Sequence, residues 1–417
     1  LPPDHPRIRF PAREGRSPGL LASSALFGFF ISWCIALLAT PLARRAGVAM
    51  GWRDRPDDAH KGHHAARPYA GGLAVLTAIV LSLLAIRIAF ADYARVLGDF
   101  LLAVGPGALL IAAVGLLDDV RGCRPTEKLV VQAVGVLLFQ TSAFALGLTG
   151  ATTAQTPVIL AGAILLNTWM LGLTNSMNLI DGMDGLAAGL AASSAIGIGM
   201  MAVIAGDPAV AVCAAILAGA SLGFRRSNRV PARIYLGDGG SLLLGFGLAA
   251  TGATLWLRNP SPAQGVALIL MAWVPLLDTG TTILRRLASG VALFQADRDH
   301  LHHRLLARGA GTRKVGRQLI GLNVLGVLAG LAVFSGAPPT LLIALIIAAS
   351  FGALRAALPL QVTKPVPRQT ASAVPVESRP NAQEILPDSP LRDRSCERDY
   401  RPKCRGAKGK GVRMGTT

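Results

Sequence analysis

Two adjacent carboxylates end an apolar run at Gly115-Leu116-Leu117-Asp118-Asp119. Side-by-side carboxylates repel and raise each other's pKa unless a cation neutralises them. Such an all-oxygen pair suits Mg²⁺, with Mn²⁺ as the substitute. Lys128 stands nine residues after Asp119 and Gln132 four further on, so the two share a face of the next expected helix. A second cluster, Asn175-Ser-Met-Asn178-Leu-Ile-Asp181-Gly-Met-Asp184-Gly185, repeats an oxygen-bearing side chain at every third position. In an unbroken helix each would neighbour the next. Gly182 and Gly185 predict instead an interrupted helix, whose exposed amides can receive phosphate.

A third motif, Ile234-Tyr-Leu-Gly237-Asp238-Gly-Gly-Ser241, sets a carboxylate between glycines just ahead of an apolar run. Asp238 is sterically open to a metal or a phosphate, and it equally suits the N-cap of the following helix. The fourth is Asp297-Arg298-Asp299-His300-Leu-His302-His303-Arg304. Zinc wants a closed tetrahedral ligand set, and no Cys lies nearby. Donation from His and Arg to a diphosphate or a sugar is the expected use. Carboxylates at a membrane edge are costly and mark function. Asp118, Asp119, Asp181, Asp184 and Asp238 therefore predict one shared site.

Long apolar segments must position these groups. A spanning helix needs about 20 apolar residues. Eleven candidates occur, near 19–41, 71–91, 100–117, 129–150, 157–177, 184–206, 208–224, 240–257, 262–284, 316–334 and 339–358. Several are rich in Gly and Ala, which suits close helix packing in a membrane. The expected fold is an all-α, polytopic membrane bundle of about eleven transmembrane helices. Residues 1–18 read as a polar leader, 19–358 as the membrane-embedded domain and 359–417 as a disordered basic tail.

Composition agrees. Hydrophobic types are 52% of the 417 residues and charged types 15%, with a mean hydropathy of +0.49. Soluble domains carry about a quarter charged residues, so a cytosolic globule and a disordered chain are both excluded. The five cysteines are read as free thiols: Cys34 and Cys213 in apolar runs, Cys123 in a polar loop, Cys396 and Cys404 in the tail.

The net charge of +18 is spread over the tail and the loops rather than gathered in a compact basic domain, and aromatics are sparse, so nucleic acid is not an expected partner. Loop positives set membrane orientation. One set of alternate loops holds 21 Lys and Arg, and the opposite set holds Arg95 and Arg258. That asymmetry assigns the first set to the cytoplasm, with the N-terminus outside and the C-terminus inside. Arg7, Arg9, Arg13 and Arg16 run against it.

Together these residues resemble the polyprenyl-phosphate N-acetylhexosamine-1-phosphate transferases, glycosyltransferase family 4. The resemblance covers roughly residues 20–358 and includes Lys61 with His63, Pro68-Tyr-Ala-Gly71-Gly72, and Asp118-Asp119 with Lys128 and Gln132. It continues through Asn175, Asn178, Asp181 and Asp184, then Gly237-Asp238-Gly-Gly-Ser241, to the His300–His303 loop. Tyr69 departs from the Arg or Thr often found at that position. The histidine loop is similar to the N-acetylglucosamine branch; the pentapeptide branch has a Leu followed by three His there.

The resemblance implies a multi-pass enzyme of the inner (plasma) membrane with its site on the cytoplasmic side. It implies transfer of N-acetylhexosamine-1-phosphate from a UDP-sugar to a polyprenyl phosphate, probed first with N-acetylglucosamine and undecaprenyl phosphate, releasing UMP with Mg²⁺. It also implies roles. Asp118, Asp119 and Asp238 are the expected catalytic residues, with Asn178 joining them around the metal. Lys61, His63, Lys128, Arg298, His300, His302 and His303 are expected to hold the diphosphate. Asn175, Asn178, Asp181 and Asp184 are expected to hold the uridine or sugar. A homodimer is compatible with this reading. The alternatives are a phospho-N-acetylmuramoyl-pentapeptide transferase or, in another class, a transporter. A transporter would place its charges near the bilayer midplane, whereas these gather at one face. A CDP-alcohol phosphotransferase needs an Ala-Arg after its first Asp-Gly pair, where this chain reads Ala187-Ala188-Gly189.

Overall fold

A computed structural model describes residues 18–52, 67–148, 156–290 and 300–357. The expected leader up to residue 17 and the tail from 358 onward lie outside the described residues. Within them the regular structure is helical: α1 (Pro18–Ala49), α2 (Gly71–Ala89), α3 (Ala94–Arg121), α4 (Pro125–Ala145), α5 (Thr156–Leu179), α6 (Leu186–Ile204) and α7 (Pro208–Asn228). There follow α8 (Gly237–Arg258), α9 (Pro262–Met271), α10 (Trp273–Ala288), α11 (Leu301–Ala307), α12 (Thr312–Phe334) and α13 (Pro339–Ala357). The one β-bridge among the described residues pairs Tyr69 with Tyr235 in parallel.

Each apolar segment marked in the sequence overlaps a helix of the described residues. Among the described residues eight helices are long and apolar enough to cross a membrane, nine if α9 and α10 count as one broken span. Large apolar side chains such as Leu38, Ile88, Leu102, Val130 and Leu284 point outward, as lipid-facing residues do in a multi-pass membrane protein. Helix α8 is the centre: 83% of its apolar window is buried, against 28% for α1 and α4. It packs against α3, α5, α2 and α7. Polar groups pin the neighbours: Trp169 Nε1 donates to the Ala249 carbonyl at 3.0 Å and Ser32 Oγ to the Ile216 carbonyl at 2.9 Å. At the bundle end opposite the acidic motifs, Arg258 pairs with Asp207, which also caps α7 through Val210 N.

Segment 262–284, expected as one straight span, is instead two helices bent by 85°. Pro275 explains the break, since it has no N–H to offer the Met271 carbonyl. That carbonyl accepts from Ser194 Oγ at 2.7 Å and from Asn323 Nδ2 at 3.3 Å. Asn323 Oδ1 in turn accepts from Val274 N at 3.2 Å. Freed backbone groups at membrane depth are tolerated where neighbouring side chains take them up. Asn323 is fully buried, so Asn323→Ala strands the Val274 amide and should cost about 1–3 kcal/mol. Thermal unfolding in detergent should show the loss, and an unchanged midpoint would assign the break to Pro275 alone.

Candidate active site

Four separate stretches of chain meet at one end of the bundle: the close of α3, the start of α4, the 180–185 turn and the first turn of α8. The close of α3 is locked to α8 by Asp119. Its Oδ1 accepts from Asp238 N at 2.7 Å and its Oδ2 from Gly239 N at 3.0 Å. A carboxylate there satisfies amides that no earlier turn can reach and complements the helix dipole. Two glycines permit the approach. A Cβ on Gly115 would stand 2.6 Å from the Asp238 carbonyl, and Gly237 has φ +73° with its Cβ direction facing the Asp119 carboxylate. Asp238 therefore lies inside the first turn of α8. The capping role open to Asp238 in the sequence belongs to Asp119, whose carboxylate clamps the close of α3 to the first turn of α8.

Beside this clamp, Lys128 Nζ donates to Asp118 Oδ2 at 3.0 Å and to Asp238 Oδ2 at 2.6 Å. Asp118 Oδ1 accepts from Cys123 N at 2.6 Å, and the Asp118 and Asp238 carboxylates touch. Asn178 contacts Asp238 and donates to Ser241 Oγ at 3.0 Å. Asn175 donates to the buried Gln132 Oε1 at 2.6 Å. Lys128 and Gln132 thus share a face of α4, as their spacing predicts.

The helix break expected at the second motif is present: α5 ends at Leu179 and α6 begins at Leu186. Gly185 bridges them at φ +73°. Its amide is taken by Asn228 Oδ1 at 2.9 Å, so that amide is not open to phosphate. Asp184 accepts from Ala232 N at 2.8 Å and lies 3.6 Å from Arg67 Nη1. Asp181 has no side-chain donor among the described residues. Burial, then Asp238, Asp119 and Asp184, push its carboxyl well above the ordinary carboxylate range.

The histidine loop closes over the same turn, with His302 Nε2 against Gly182. Asp278, fully buried on α10, positions it: Oδ2 lies 2.9 Å from His300 Nδ1 and Oδ1 accepts from Leu301 N at 2.6 Å. His302 and His303 rings sit 4.1 Å apart. His302 is buried, and neither of its ring nitrogens has a partner among the described residues. Lys61, His63 and Arg298 lie outside the described residues.

Five carboxylates, Asp118, Asp119, Asp181, Asp184 and Asp238, thus share this end, where Lys128 pairs with Asp118 and Asp238 and Arg67 with Asp184. The donor-free Asp181 and the oxygen-only set fit a hard divalent cation. No three His, Cys, Asp or Glu among the described residues stand ready to hold one; the Lys128 ammonium spans Asp118 and Asp238.

The profile of glycosyl transferase family 4 matches residues 100–255. A probable undecaprenyl-phosphate N-acetylglucosaminyl 1-phosphate transferase of Bacillus subtilis is 30% identical over 299 residues, 68% of this chain and 78% of the relative. The chain belongs to glycosyl transferase family 4. A decaprenyl-phosphate N-acetylglucosaminephosphotransferase of Mycobacterium tuberculosis is 32% identical over 329 residues, 73% of this chain and 79% of that relative. A phospho-N-acetylmuramoyl-pentapeptide-transferase of Synechococcus is 31% identical over 346 residues, 76% and 90% of the two chains. In this family 4 transferase the matched stretch carries every aspartate of the cluster.

Sequence reasoning missed Asp278, Asn228 and Arg67 as members of this end. Asp278 had a signal, a lone carboxylate within an apolar run. Burial, with His303 alongside, pushes His302 down to about 4 from an ordinary 6.5. The unfolded chain therefore binds the proton first. Stability present above pH 6.5 should be lost as pH falls toward 4, to a total of about 3 kcal/mol. His302→Gln cannot titrate and should lack this component. Unfolding midpoints in detergent at stepped pH will show it as a gap between the two curves; parallel curves would contradict it.

Proposed function

We propose that this transferase moves N-acetylhexosamine-1-phosphate, N-acetylglucosamine-1-phosphate in the first instance, from a UDP-sugar to undecaprenyl phosphate. An oxygen of the lipid phosphate forms a bond to the sugar-bearing phosphorus, the bond from that phosphorus to the bridging oxygen breaks, and UMP leaves. The products are polyprenyl-diphospho-N-acetylhexosamine and UMP, the first membrane step of a cell-envelope polysaccharide. The observation that carries this reading is the meeting of Asp118, Asp238 and Lys128 from three helices. Such a site can bring two phosphate-bearing substrates together, which demands balanced charge and fixed donors.

In this reading Asp118 orients the lipid phosphate for attack. Lys128 and the histidine loop hold the diphosphate, with Lys61, His63 and Arg298 joining them. Neutral His302 offers one N–H. Asn175, Asp181 and Asp184 border the nucleotide or sugar. Asp238, Asp118 and Asn178, with Asp119 alongside, would hold Mg²⁺ or Mn²⁺, whose part is to neutralise diphosphate charge. Asp119 also holds the first turn of α8. The loop charges favour a cytoplasmic face for this end, and the eleven apolar segments would span the plasma membrane. The N-acetylglucosamine branch is preferred over the pentapeptide branch because the loop reads His300-Leu301-His302-His303 rather than Leu before three His.

Asp238→Asn keeps shape and removes charge. Metal-assisted charge stabilisation is worth several kcal/mol, so UMP release should fall by about three orders of magnitude at 1.36 kcal/mol per decade. UMP release by purified wild type and variant across a Mg²⁺ titration measures this. Turnover near wild type at unchanged Mg²⁺ demand would remove Asp238 from the metal site.

A further inference from the structure

We propose that a cleft lined by arginines, next to the aspartate cluster but outside it, is a second phosphate-binding site. The cleft has a volume of about 990 Å³ and lies between the end of α7, the turn that follows it and the first turns of α12. Arg225, Arg226, Arg229, Arg233, Arg313 and Arg317 line it. Its only carboxylate is Asp184, which already bonds the Ala232 amide and faces Arg67.

Two of the arginines are fixed by backbone. Arg225 Nε donates to the Gly185 carbonyl at 3.0 Å, and Arg313 Nη2 to the Val230 carbonyl at 3.3 Å. Arg226, Arg229, Arg233 and Arg317 are exposed and have no carboxylate partner among the described residues. The N-cap of α12 is Gly311, which supplies no side-chain acceptor, and Thr312 and Arg313 of its first turn face the cleft. Cations at a helix N-terminus oppose the dipole, so an anion placed there relieves both charges at once.

Positive residues at a membrane edge also serve orientation, but orientation needs only their number. Here they converge on one concavity from two segments 80 residues apart in the chain, ending at Arg233 and starting at Arg313. A concave surface of one sign focuses its field on a counter-ion. The guanidinium fork matches phosphate oxygens in pairs. The ligand class is therefore a phosphate-bearing anion, supplied by a phospholipid headgroup or by a soluble phosphate compound. The cleft shares Asp184 with the border proposed for the nucleotide or sugar, while none of the six arginines belongs to the aspartate and histidine cluster.

The full chain in phosphatidylcholine nanodiscs should be titrated with inorganic pyrophosphate by calorimetry. In a second arm, nanodiscs that also contain phosphatidylglycerol should be assayed for retained anionic lipid by native mass spectrometry. The test variant is Arg226→Gln with Arg317→Gln. Its control is Arg44→Gln with Arg45→Gln, an equal charge loss at the exposed end of α1. Binding in at least one arm should weaken about tenfold or more in the cleft variant and stay unchanged in the control. Loss in the pyrophosphate arm assigns a soluble phosphate, and loss confined to the lipid arm assigns a headgroup. Equal weakening in both variants, unchanged binding in the cleft variant, or no saturable binding in either arm would overturn the site. Arg226→Gln and Arg317→Gln made singly decide the same question should the double variant fail to fold.

Discussion

The carboxylate of Asp119 accepts the amides of Asp238 and Gly239, and the acidic end of the bundle is built around that pair of bonds. It joins two helices whose relevant residues are 119 positions apart. Charge-assisted bonds of this kind are short and directional, so they fix where the first turn of α8 begins and which way Asp238 points. The constraint runs backward into the sequence. Residue 115 must lack a Cβ so that α3 can lie against α8, and residue 237 must adopt a left-handed backbone. The glycines of the Gly-Asp-Gly-Gly-Ser motif are thus the steric condition for a clamp whose working half comes from another helix.

A second backbone irregularity follows the same logic at greater depth. Pro275 releases the Met271 carbonyl, and Asn323 with Ser194 takes it up. The direction α10 adopts after the bend carries Asp278 to the histidine loop, where it holds His300 and the first amide of α11. One missing N–H in α10 is thereby linked to the placement of an imidazole pair beside Gly182. Buried polar groups that are fully partnered specify geometry more sharply than apolar packing does, and each of these is partnered. His302 is the exception, buried beside Gly182 with no partner for either ring nitrogen among the described residues.

Much of this was legible in the chain. Hydropathy alone located the helical segments, because a lipid-facing helix must be apolar along its whole length. The spacing of Asn178, Asp181 and Asp184 with their glycines located the break between α5 and α6. What the sequence did not yield depends on contacts between distant segments. Hydropathy runs on through Ala272, so the 85° bend leaves no trace in it. Asn228 binds Gly185 N and the Ile234 carbonyl, a role invisible without the fold. Asp118 and Asp119 read as an equivalent pair, yet neighbouring residues on a helix point about 100° apart. One therefore meets Lys128 while the other meets α8.

That divergence of two adjacent carboxylates leads to the arrangement of charge at this end as a whole. The acidic residues gather where α3, α4 and α8 meet, and the arginines gather along α7 and α12. The 180–185 turn separates them, and Asp184 belongs to both sides. It pairs with Arg67 and accepts the Ala232 amide. Opposite charges in direct contact would cancel in ion pairs and lose their pull on a third body. Lys128 bridges Asp118 and Asp238 within the acidic set, while the arginines line a concave surface that focuses a field of one sign. The Asp207–Arg258 pair pins the far ends of α7 and α8, so the two sets are carried by helices that do not slide past one another.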